Sequence, residues 1–211
     1  YEYYKYTADK DFIKSKLFKI LKDIVHWHFK GTRYNIMVDQ SDGLLSAGEE
    51  GTQLTWMDAK VYGWVITPRD GKAVEINALW YNALRVMELF SSFCGTQKDI
   101  AFFKGWAEKA GKSFNEKFIN PETGCLYDVI KDEFKDASVR PNQLFAFTLA
   151  FPVADIKTGK KVIKQVEDEL LTPRGLRSLS PNDQRYVPYY RGDLLARDSS
   201  YHQGTTWSWL I

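Results

Sequence analysis

The residues best suited to chemistry lie between Thr55 and Trp80. Thr55-Trp56-Met57-Asp58 sets a carboxylate beside an indole, and Trp64 supplies a second indole in Gly63-Trp64-Val65-Ile66. Arg69 follows in Thr67-Pro68-Arg69, and Glu75 and Asn77 sit in the otherwise apolar run Ala73-Val74-Glu75-Ile76-Asn77-Ala78-Leu79-Trp80. Apolar neighbours disfavour the charged form of a carboxyl and so raise its pKa, which suits a general acid near neutral pH. A lone loop aspartate is more often a turn former or helix cap, and the helix dipole by itself favours a glutamate in a first turn. Composition leaves the functional and structural readings of this stretch evenly balanced.

Other arrangements are weaker. His26-Trp27-His28 invites a metal reading, but helical residues two apart lie about 200° round the axis and cannot share an ion. No metal site is expected. Cys94 and Cys125 lack any CxxC or Cys/His spacing and read as a free, buried pair. Thr158-Gly159-Lys160-Lys161 lacks the upstream glycine of a phosphate loop, and no Gly-x-Gly-x-x-Gly occurs, so no cofactor is expected.

Helices must position these residues. Ile13, Leu17, Ile20, Leu21 and Ile24 recur at helical spacing and place a helix over 9–30. Ile76, Leu79, Trp80, Ala83, Leu84, Met87 and Phe90 place a second over 73–94, with Gly95 as its stop. Further helices are expected near 98–118, 141–152, where Pro141 suits a first helical position, and 159–171. Between them, 32–71 and 172–200 read as long irregular loops, and loops of that length in compact domains are usually functional. No strand alternation persists, so the fold class reads as all-α, with loops building a site at one end of helical hairpins.

Composition bounds the rest. Across 211 residues, 29 Lys+Arg against 27 Asp+Glu give a formal charge of +2, no electrostatic case for nucleic acid. No apolar run approaches the roughly 20 residues of a membrane span, and no leader-like segment opens the chain. Aromatic residues reach 15%, a load that either fills a large core or lines a groove for flat ligands such as sugars. The absence of an Asn-x-Ser/Thr acceptor fits a cytoplasmic address.

The stretch from Leu54 to Leu84 strongly resembles the C-terminal glucosidase domain of glycogen-debranching enzymes, the amylo-α-1,6-glucosidase family (glycoside hydrolase family 133). Thr55-Trp56-Met57-Asp58, Thr67-Pro68-Arg69 and the block from Gly71 to Leu84 occur in the family's order. Tyr201-His202-Gln203-Gly204-Thr205-Thr206-Trp207-Ser208-Trp209-Leu210-Ile211 is similar to a second family block, with Ser208 where proline is usual. Asp39-x-x-Asp42-Gly43-Leu44-Leu45 and Arg140-Pro141-Asn142-Gln143 are also family-like.

The resemblance implies an (α/α)6 toroid, of which this chain would supply about half, truncated at both ends and completed by the remaining part of the same barrel. It implies inverting hydrolysis of α-1,6-linked glucose stubs on glycogen or a related α-glucan, with Asp58 as general acid. Trp56, Trp64 and Trp207 would face sugar rings, and Arg69, Glu75, Asn77, His202 and Gln203 would hydrogen-bond hydroxyls. The catalytic base would lie beyond Ile211, leaving the isolated chain inactive. Alternatives are a non-catalytic glucan-binding module, or a hydrolase of another α-glucoside such as trehalose.

Overall fold

The computed structural model describes residues 1–210; Ile211, which closes the second motif, lies outside the described residues. The short helix α1 (Glu2–Thr7) leads into a longer helical stretch made of α2 (Lys10–Phe12), a π-helical segment (Ile13–Leu17) and α3 (Phe18–Lys30). Gly31 ends it at φ 87°, as the sequence predicts. Its Val25, with Leu21 and Phe29, packs onto the central pair of helices, α4 (Val74–Cys94) and α5 (Gln97–Phe118).

Those two helices form a hairpin because Gly95 halts the first and Thr96 starts the second. The Thr96 hydroxyl accepts from the Asp99 amide while the Asp99 carboxylate accepts from the Thr96 amide, satisfying donors that a helix start leaves open. Val74, Ala78, Leu84 and Met87 meet Phe103, Ala107, Ala110, Phe114 and Phe118 in the main core. Each of these positions recurs at helical spacing, so one stripe of each helix is dry.

Short strands tie the loops down. β1 (Met37–Val38) pairs with β2 (Leu45–Ser46), and β3 (Lys60–Val61) with β4 (Trp64–Val65), both antiparallel. β5 (Lys72–Ala73), β6 (Val129–Lys131) and β7 (Phe134–Asp136) form one three-stranded sheet in that order. After α6 (Phe145–Thr148) and α7 (Ile156–Glu169), β8 (Leu171–Thr172) and β9 (Gly175–Arg177) form another. Helix α8 (Leu194–Ser200) precedes β10 (Thr206–Trp207), which pairs with β9, so the sheet runs β10-β9-β8.

Three expectations change. The class is predominantly helical with small sheets rather than all-α, because strands of two or three residues are too short to register as alternation. The helix expected over 141–152 is a 3₁₀ turn (Pro141–Leu144) followed by α6, and it stops at Thr148. Pro152 disfavours a helical Phe151, and the Phe151 amide donates to Asn82 Oδ1 at 2.9 Å instead of to a helical carbonyl. The expected loop 172–200 contains α8, whose start is capped by Asp193 accepting from the Ala196 amide. The described residues do not close into a barrel. Among them, no helix is long and apolar enough to cross a membrane.

Candidate active site

Arg69 is the centre of a buried ionic cluster. Its Nε donates to Asp128 Oδ2 at 2.8 Å and its Nη2 to Asp128 Oδ1 at 3.0 Å. Its Nη1 and Nη2 also pair with the two Glu75 carboxylate oxygens, the second at 2.6 Å. All three side chains are essentially out of water. The two carboxylates hold the Arg69 pKa above its ordinary value, against the burial that lowers it. Helix α4 presents Glu75 in its first turn and β6 begins directly after Asp128, so the β5–β6 pairing brings both acids to one arginine.

A second guanidinium joins this cluster to the family's second motif. Arg140 Nη1 donates to the His202 carbonyl at 2.7 Å and the Ser178 carbonyl at 3.0 Å, and Nη2 donates to Gln203 Oε1 at 3.0 Å. Gln203 Nε2 in turn donates to the Ile66 carbonyl at 3.0 Å. Burial pushes the Arg140 pKa down to about 10, so it keeps its charge at neutral pH. The loops 32–71 and 172–200 meet here, with α8 packed on β3.

Above the cluster sits an aromatic wall. The half-buried Trp56 ring meets His202, Trp207 and Trp209 edge-on, with centroids at 5.3, 6.4 and 5.0 Å. His202 stacks on Trp207 at 6.0 Å. His202 Nδ1 and Trp207 Nε1 are both buried without a hydrogen-bond partner among the described residues. Burial, and then the charges of Arg140 and Arg69, lower the His202 pKa to about 4, leaving a neutral imidazole at neutral pH.

Met57 is fully buried, while the next residue, Asp58, turns out to solvent. No described residue donates a hydrogen bond to the Asp58 carboxylate. The apolar enclosure expected between Trp56 and Trp64 is not formed around it. Trp64 instead rides on the β3–β4 hairpin, whose Tyr62-Gly63 turn takes positive φ at both residues, and it is 57% exposed.

The expected ring of sugar contacts therefore divides into two layers. Trp56, His202 and Trp207 come together, with Asp58 two positions after Trp56 in the chain. Arg69 and Glu75 lie beneath them and bond each other and Asp128, which removes them from direct contact with a hydroxyl. Asn77 is likewise occupied: its Oδ1 accepts from the Leu45 amide at 2.7 Å and its Nδ2 donates to the Leu45 and Ala73 carbonyls, both at 3.0 Å. Gln203 spends its amide on Arg140 and Ile66. Arg69 does line a cavity of about 190 Å³, but with Thr55, Leu54, Ile76 and His28 rather than with Asp58.

Asp128 escaped the sequence reading. The signal was present: a carboxylate inside the apolar run Leu126-Tyr127-Asp128-Val129-Ile130 needs a buried cation. Of the histidine pair, neither faces open solvent. His26 and His28 are half-buried and each Nδ1 bonds its own helix, at the Lys22 and Ile24 carbonyls. Among the described residues no group of three or more His, Cys, Asp or Glu is placed to hold a metal ion. Cys125 is buried and Cys94 half-buried, both as free thiols.

The chain is 30% identical over 222 aligned positions to the glycogen debranching enzyme of Saccharomyces cerevisiae, an alignment covering 86% of this chain and 14% of that protein. In fold it is similar to the GH78 family rhamnosidase of Bacillus sp. GL1, with a TM-score of 0.58, 18% identity, and 78% of this chain matched to 16% of that one. The chain thus spans about a seventh of the length of either protein. The model for amylo-alpha-1,6-glucosidase matches residues 1–211, and the chain belongs to that family.

Proposed function

We propose that this chain is part of a glycosidase domain that hydrolyses α-1,6-glucosidic stubs on glycogen or a related α-glucan with inversion, as part of an (α/α)6 toroid. Asp58 is the general acid that protonates the leaving glycosidic oxygen. Trp56, Trp64 and Trp207 offer ring faces to the sugar, His202 packs against Trp56 and Trp207, and Gln203 is held behind them by Arg140 and the Ile66 carbonyl. Arg69, Glu75 and Asn77 act from beneath by fixing the frame.

The observation that carries this reading is the placement of Asp58. It is the exposed end of a segment whose two preceding side chains are anchored, so its carboxyl is spent on no internal partner and is free to meet a glycosidic oxygen; the water-excluding surroundings that keep an acid protonated then come from the bound glucan and the rest of the toroid. Inversion also requires a carboxylate that activates water, and Glu75 and Asp128 are unsuited to it because both face Arg69. The test is glucose release by the full-length protein that completes the toroid and by its Asp58→Asn variant, on phosphorylase limit dextrin, isomaltose and trehalose. The expected result is release from limit dextrin that falls about 10²–10⁴-fold in the variant while glucan binding survives. Binding without release in the unmodified protein would make it a glucan-binding module, and faster release from trehalose would change the substrate.

A further inference from the structure

Asn142 has no part in the reading above and Asp128 enters it only as a partner of Arg69, yet both lie on a hydrogen-bond line that reaches the Trp56 indole. Trp56 Nε1 donates to Asn142 Oδ1 at 2.7 Å, and Asn142 Nδ2 donates to Asp128 Oδ1 at 2.7 Å. Asp128 is itself held by the Arg69 fork. Asn142 and Asp128 are both buried. Resting on the glycosidase reading, we propose that Asn142 is a positioning residue, oriented by Asp128, that fixes the sugar-facing ring of Trp56 through its indole N–H.

The chemistry permits only one orientation of the amide. An indole nitrogen can only donate, and an ionised carboxylate can only accept. Asn142 must therefore turn its oxygen to Trp56 and its nitrogen to Asp128, because the flipped amide would oppose donor to donor and acceptor to acceptor. The polar line Arg69–Asp128–Asn142–Trp56 thus carries the rigidity of a buried ion pair outward to the aromatic wall. Trp56 meets its aromatic partners His202, Trp207 and Trp209 in T-shaped contacts, which let an aromatic plane slide. The hydrogen bond adds the angular constraint that weak, repeated contacts between a ring face and sugar C–H groups require.

Asp58 has a separate anchor. The intervening Met57 is buried, and its sulfur lies 3.7 Å from Arg140 Nη1 as well as 3.6 Å from Asn142 Nδ2. Loss of the Asn142 amide should therefore loosen the Trp56 ring more than it moves the acid. The signature is weaker substrate binding with nearly unchanged turnover.

The test uses the full-length protein that completes the toroid, with its Trp56→Phe, Asn142→Ala and double variants. The Trp56 indole proton is the resonance missing from the Trp56→Phe spectrum, and it should exchange slowly in the unmodified protein and shift or lose protection in Asn142→Ala. Each single variant should raise KM for phosphorylase limit dextrin about 3- to 10-fold with kcat nearly constant, the scale of one lost hydrogen bond. The double variant should be no worse than the worse single one, because both remove the same bond. An indole proton that exchanges at the solvent rate, KM effects that multiply, or losses confined to kcat would overturn the proposal. If Asn142→Ala does not fold, the exchange rate in the unmodified protein and the KM of Trp56→Phe still decide it. The exchange measurement needs no activity, so a full-length protein that releases no glucose would refute the glycosidase reading while the exchange rate still decides the Asn142–Trp56 bond.

Discussion

Arg140 Nη1 reaches the backbone carbonyl of His202 at 2.7 Å, joining two family motifs that lie far apart in the chain. The same guanidinium holds Gln203 and touches Met57, so one buried side chain ties the loop that bears Asp58 to the segment that carries His202 and Gln203. The fork needs a planar donor set, which lysine lacks. Arg140→Lys is accordingly expected to cost about 2–5 kcal/mol of stability, as hydrogen bonds to a charged group are lost and not replaced. A denaturant midpoint equal to that of the unmodified protein would show that the fork is dispensable.

Glu75→Gln separates a structural role from a sugar contact. Removing one carboxylate from the buried Arg69 cluster leaves two guanidinium charges against Asp128 alone, and breaking such a pair costs about 3–5 kcal/mol. Equilibrium unfolding should report that loss without any glucan present. A variant of full stability but weakened glucan binding would return Glu75 to the substrate.

Stability should fall as the solution is acidified through the His202 range. The folded-state pKa is about 4, against about 6.5 for a free imidazole, so between those values the unfolded chain binds a proton that the native protein refuses. The contribution is absent above pH 6.5 and grows to about 3 kcal/mol of destabilisation by pH 4. His202→Gln should flatten this part of the curve of unfolding free energy against pH. An unchanged slope in that variant would assign the proton uptake elsewhere.

Gly204→Ala should damage the His202 segment. Gly204 sits at φ +139°, and an added Cβ would lie 2.6 Å from the Val187 carbonyl oxygen and 2.6 Å from the Tyr186 ring. Such a backbone conformation costs a residue with a Cβ about 1–3 kcal/mol before the collision is counted. Unfolding midpoint and near-ultraviolet dichroism of the aromatic wall should both change, and retention of both would contradict this geometry.

The central helices and the motifs were legible along the chain before any contact was known. The stripes of α4 and α5, the stop at Gly95 and the segments Thr55–Asp58 and Tyr201–Trp207 are local patterns, legible because helical period and motif order need no partner. What the polar residues do came from packing between distant segments. Arg69, Glu75 and Asn77 carry the same donor and acceptor atoms whether they face a sugar or a neighbour. Their neighbours Asp128 and Leu45 arrive from distant parts of the chain. Asp58 shows the converse, since its indole neighbours in sequence turn elsewhere and leave it in water. Hydrogen-bonding capacity is a property of a residue, but its satisfaction is a property of the fold, because a buried polar group takes whichever partner packing brings to it.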